Sequence, residues 1–176
     1  MPIRILFVAI GIFFFIIIIL IIKGILANPL VNKTAYYSML KEQNQILHVT
    51  SLDTAAAQQQ GTITASAQNF TANTQIVLSA EITQNINYFK KDGTTVSPTK
   101  LAKIYSPAVD SELSQATTNG DFNAVYSSVL DDEISAYEAD LKEVYNSARQ
   151  NALKSILSSD YKSAVLLKEQ LNTTVG

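Results

Sequence analysis

Apolar and polar positions divide the chain into one unbroken apolar run followed by a series of helical stripes. The run, Ile5–Ile22, contains no charge and no strong hydrogen-bonding side chain. As a helix it would climb about 27 Å. Ile3 at one end and Gly24 to Ala27 at the other extend it to the thickness of a hydrocarbon core, about 30 Å. Arg4 and Lys23 bracket it, and a lysine at such a boundary can snorkel to the interface. The pattern predicts a transmembrane anchor over residues 1–27, a helical-bundle domain over 28–172 and a frayed C-terminus over 173–176. A cleaved signal peptide is the competing reading, with Ile25-Leu26-Ala27 as the cleavage site. Signal h-regions run about 7–15 residues, and this run is longer.

Beyond Asn28-Pro29 the apolar spacing is helical almost throughout. From Leu30 to Gln60, Tyr36, Leu40, Gln43, Leu47, Thr50, Thr54 and Ala57 recur three and four apart. From Thr62 to Lys91 the stripe is Ile63, Ala67, Phe70, Val77, Leu78, Ile82, Ile86 and Phe89. β-branched residues between Gln75 and Ile82 admit a strand, but the apolar positions do not alternate. Lys90-Lys91-Asp92-Gly93 is a helix stop, and Ser97-Pro98 and Ser106-Pro107 are two starts. They predict two short helical pieces between Pro98 and Thr118. Asn119-Gly120 then stops the chain and Asp121 caps the next helix. That helix carries the most regular stripe: Tyr126, Leu130, Ile134, Tyr137, Leu141, Val144 and Ala148, opposite Asp131, Glu138, Lys142 and Arg149. A polar turn at Asn146 to Asn151 leads into a last helix with Leu153, Leu157, Ala164, Leu167 and Leu171. Four long amphipathic helices with short connections, save one, predict an antiparallel four-helix bundle. Phe70, Phe89 and Phe122 are its expected large core anchors.

Composition narrows the chemistry. Of 176 residues none is cysteine and one is histidine, which excludes disulfides, thiolate metal sites and any site needing two imidazoles. All 15 acidic residues lie beyond the apolar run, so the domain is mildly acidic and no nucleic-acid partner is expected. The short N-terminal tail places the domain outside the cytoplasm in a signal-anchor arrangement, although Lys23, Lys33 and Lys41 leave the positive-inside rule undecided. The lipid bilayer is then a partner of the first helix, and an unidentified protein or envelope component a partner of the domain.

Two stretches carry a family resemblance: Leu52-Asp53-Thr54-Ala55-Ala56-Ala57 through Ala67-Gln68-Asn69-Phe70, and Asp121-Phe122-Asn123-Ala124-Val125-Tyr126 followed by Asp132-Glu133. With Ala152-Leu153-Lys154 leading into the last helix, the span Tyr37 to Leu171 resembles bacterial extracytoplasmic ferritin-like domains of unknown function. The resemblance implies a ferritin-like four-helix bundle. It also implies histidines on the second and third helices, and this chain has neither.

No constellation reads as catalytic, cofactor-binding or metal-binding. A di-iron bundle needs Glu-x-x-His on two helices, whereas Glu81-x-x-Gln84 and Glu133-x-x-Ala136 lack the imidazole and Gln45 stands three before His48. His48 and Ser51 are neighbours on a helix but Asp53 points elsewhere, so they form no triad. Asp131-Asp132-Glu133 diverge around a helix and read as a solvated face. Three glycosylation sequons, at Asn32, Asn69 and Asn172, are the number that chance gives in a chain rich in Asn and Thr. The expectation is a membrane-anchored, non-catalytic binding or interaction module of the cell envelope. A pilin-like filament subunit is the alternative, weakened by Pro2-Ile3-Arg4 before the run and the lack of an acid before Glu42.

Overall fold

In the computed structural model, which describes residues 31–53, 63–91 and 94–175, the periodic segments are helices. They are α1 (Lys33–His48), continued by a π-helical turn (Val49–Asp53), α2 (Ala65–Lys91), α3 (Pro98–Leu101), α4 (Pro107–Asn119), α5 (Phe122–Ser147) and α6 (Asn151–Val175). No strand occurs among the described residues, so Gln75 to Ile82 is helical. All of them fall in one compact unit, Val31–Gly176.

Among the described residues no helix is long and apolar enough to cross a membrane. The physical reason is that each long helix has a polar outer face. The arrangement of a membrane anchor over 1–27, with the domain outside the cytoplasm, is therefore not carried forward. The run Ile5–Ile22 on which it rested lies outside the described residues, as do residues 54–62, where the first stripe was expected to continue.

Helix ends follow local chemistry. Asn32 caps α1, its Oδ1 accepting from the amides of Thr34 and Ala35 at 3.0 and 3.4 Å. Ser97 caps α3, accepting from the Lys100 amide at 3.4 Å. Asp121 and Ser106 occupy cap positions without a side-chain cap bond. Gly120 ends α4 at φ 82°, and the amides of Gly120 and Asp121 both reach the Ala116 carbonyl, at 3.0 and 3.1 Å. A Cβ there would meet nothing within 4 Å, so the cost of a side chain is conformational alone. Gly120→Ala is expected to lower stability by about 1 kcal/mol, as read by urea denaturation.

Side-chain pairings fix the topology. Tyr36 stacks on Phe89, and Gln75 reaches the Thr50 carbonyl, so α1 and α2 are antiparallel. Asn73 bonds Gln170 and Asn85 bonds Asp160, which sets α2 against α6 in the same sense. Lys142 lies over Tyr161 and Lys154 over Tyr145, making α5 and α6 an antiparallel hairpin. Asn32 at the start of α1 touches Glu143 and Ser147 at the end of α5. The four long helices thus close a ring in the order α1, α5, α6, α2. Across it, α2 and α5 run in the same direction. Their connection must travel back along the bundle, and α3 and α4 are that crossover.

The crossover is held by polar groups of α1. Asn44 donates to the Ile104 carbonyl at 2.8 Å, and Gln45 accepts from the Ser106 amide at 2.8 Å. His48 bonds Asp110 at 2.8 Å and stacks on Tyr105. An irregular segment packed on a helix has backbone groups to satisfy, and Asn44 and Gln45 satisfy two of them. The π turn has the same logic: it loosens the helical ladder, and Gln75 takes up the Thr50 carbonyl at 2.6 Å.

The expected stripe of α5, Tyr126 through Ala148, is buried throughout, as are Leu153, Leu157, Ala164, Leu167 and Leu171 of α6. Phe70, Phe89 and Phe122 are buried too. The largest fully buried side chains, however, are Tyr36, Tyr126 and Tyr137.

Candidate functional site

Polar side chains from all four long helices meet inside the bundle. α1 contributes Gln43, α2 contributes Glu81 and Asn85, α5 contributes Tyr137, and α6 contributes Asp160 and Ser163. The Tyr137 hydroxyl donates to Glu81 Oε2 at 3.1 Å, and Gln43 Nε2 lies 3.5 Å from the same oxygen. Asn85 Nδ2 donates to Asp160 Oδ2 at 2.9 Å. Each of Gln43, Glu81, Asn85, Tyr137 and Asp160 is buried, Asp160 to 2% exposure.

Removing carboxyl groups from water favours their neutral forms. Burial, and then the charge of Asp160, lift Glu81 to about 7, against the opposing bonds from Ser163 and Tyr137. Burial lifts Asp160 to about 6, with the Asn85 bond opposing. Tyr137 is pushed well above its ordinary value by burial and by the two carboxyls. Near neutrality the pair is therefore only partly ionised. Two carbonyl oxygens of the layer, Gln43 Oε1 and Asn85 Oδ1, are buried with no hydrogen-bond partner among the described residues.

The layer is a poor place for catalysis, because burial closes it to a reactant. Nor does its donor set suit a transition metal: it has two carboxyls and no imidazole. Among the described residues no three His, Cys, Asp or Glu side chains converge on a metal position. Glu81 and Glu133, the two positions compared with the Glu-x-x-His pattern, do not meet. Glu133 sits half-buried beside Glu42 on α1, and burial followed by that neighbouring carboxyl lifts it to about 7. Asp131 pairs with Lys168 at 3.5 Å. His48 is buried under the crossover, and Ser51 turns its hydroxyl to the His48 carbonyl, not to the ring. The side chain of Asp53 lies outside the described ones.

A second locus is open to solvent. The outer face of α1 and the crossover enclose a groove of about 560 Å³ lined by Thr34, Tyr37, Ser38, Lys41, Thr95, Val96, Ser97, Lys100, Leu101 and Ile104. It exists because the crossover leaves α2 and turns into the single helical turn α3, which packs on α1. Tyr37 and Ile104 are 46% and 44% exposed. Two of the six large apolar side chains exposed among the described residues thus lie in its lining. The sequence does not advertise it: Tyr37 falls off the α1 stripe, and Ile104 lies in the irregular link between two short helices, where no periodicity marks it.

Truncating the layer is expected to be costly. Asn85→Ala leaves Asp160 without its 2.9 Å donor and should destabilise by about 1–3 kcal/mol, as measured by urea denaturation at pH 7.

Comparison with known proteins adds no relative: no protein-family model, no curated protein and no solved structure matches this chain.

Proposed function

We propose that the domain is a non-catalytic binding module that takes its ligand in the groove between α1 and α3. The observation that carries this reading is the groove itself. It has an apolar lining with a few polar groups, and its size falls within the about 300–1,000 Å³ of small-molecule sites. Side chains such as Tyr37 and Ile104 gain by being covered. The buried layer serves the scaffold. A single long crossover between the second and third long helices is the connectivity of ferritin-like bundles, which supports the resemblance in form, while the donor set argues against iron chemistry.

A thermal-shift screen of the full chain against small organic anions, cations and neutral aromatics tests the reading. A ligand at one hundred times its dissociation constant stabilises by about 2.7 kcal/mol. Ile104→Asp, which puts a carboxylate into the groove, should abolish the shift without lowering the unliganded melting temperature. Stabilisation that persists in Ile104→Asp would place binding elsewhere.

A further inference from the structure

The groove between α1 and α3 also carries information on what it binds. Its two cations come from opposite walls, Lys41 from α1 and Lys100 from α3, and none of its lining side chains is acidic. That is an uneven allocation in a chain with 15 acidic against 13 basic residues. Lys41 touches the half-buried Glu42 at 3.4 Å and its charge also reaches Glu133 and Asp140 on α5, so Lys100, which makes no ion pair among the described residues, is the cation with more to gain from an anionic ligand. Between the two lysines the lining is mostly apolar: Tyr37, Val96, Leu101 and Ile104.

Resting on the binding reading above, we infer that the groove takes a small organic acid, one carboxylate or sulfonate on an aryl or alkyl body. The apolar body covers Tyr37 and Ile104, and the anionic group lies between Lys41 and Lys100. A neutral ligand of the same shape forgoes the charge contacts. A cation is repelled by both lysines, and charge opposition of this kind selects as strongly as attraction.

Two fluorescent probes sharing one apolar body separate the contributions: 8-anilinonaphthalene-1-sulfonate, which is anionic, and N-phenyl-1-naphthylamine, which is neutral. Each is titrated into the full chain, its Lys41→Gln/Lys100→Gln variant and its Tyr37→Ala variant, with unchanged melting temperature as the check on folding. The double lysine variant is expected to bind the sulfonate about tenfold more weakly, through the loss of two partly exposed charge contacts. The neutral probe should stay within twofold. Tyr37→Ala should weaken both. Equal sulfonate affinity in the wild type and the double lysine variant overturns the ligand class. If Tyr37→Ala still weakens both probes, the groove binds without regard to charge and the binding reading stands. If Tyr37→Ala also changes nothing, that reading falls as well.

Discussion

Raising the pH from 5 to 8 is expected to destabilise this bundle, the reverse of ordinary acid denaturation. Glu81 has an ordinary value of 4.5 and stands at about 7 in the fold. A carboxyl that binds its proton more tightly when folded contributes most below the unfolded value. That contribution is lost as pH rises through the folded value. The window is therefore about pH 4.5 to 7, and the loss from Glu81 alone is about 3 kcal/mol. Asp160, lifted from 3.8 to about 6, acts in the same direction over a lower window. A domain of this size melts about 2–4 °C lower per kcal/mol, so the fall should be about 10 °C. Glu81→Gln keeps the shape of the protonated carboxyl and cannot ionise. It should raise the melting temperature at pH 8 and reduce the slope between pH 5 and 7, the remainder coming from Asp160 and from Glu133, which is also lifted to about 7. A slope unchanged in Glu81→Gln would show that the buried layer does not hold the proton.

The second large effect is a cavity. Leu141 is buried at 1% exposure in the α5 stripe, and Glu138 sits on the more open side of the same helix. Leu141→Ala should cost about 2–5 kcal/mol through lost transfer energy and the void left behind. Glu138→Ala should change stability by no more than about 0.5 kcal/mol. Against a total of about 5–15 kcal/mol, the first removes a large part of the stability. Urea denaturation of both variants at one pH gives the comparison. Equal midpoints would mean that α5 presents a different face to the core.

What the sequence made legible was the part of the fold governed by periodicity. The spacing from Tyr126 to Ala148 needs no partner to be recognised, because three- and four-residue steps place apolar side chains on one face of a helix. Gly120 and Ser97 are legible for a local reason too, since the backbone conformation each serves is set by its neighbours. The polar layer was hidden by the same rule. Gln43 was read as a stripe position, but Asn85 and Asp160 resemble outer-face residues until the helices opposite are known. Only tertiary pairing shows Asn85 and Asp160 bonded to each other. Asn44, Gln45 and His48 were illegible for a related reason: their partners, two backbone groups and the Asp110 carboxylate, lie on a crossover more than fifty residues away. The tyrosines fell between the two cases. Their rings follow the apolar stripe, while hydroxyls such as those of Tyr126 and Tyr137 find partners on α2, at Thr71 and Glu81. The groove, made by the packing of α3 on α1, has no sequence signature at all.

Groove binding is tested most directly by an amide NMR map of the full chain titrated with 8-anilinonaphthalene-1-sulfonate. Shift changes are expected along Thr34 to Lys41 and Thr95 to Ile104, the two walls of the groove, with Glu81, Tyr137 and Asp160 unmoved. Changes centred instead on the cleft at Leu141, Tyr145 and Tyr161, or on the buried layer, would contradict it.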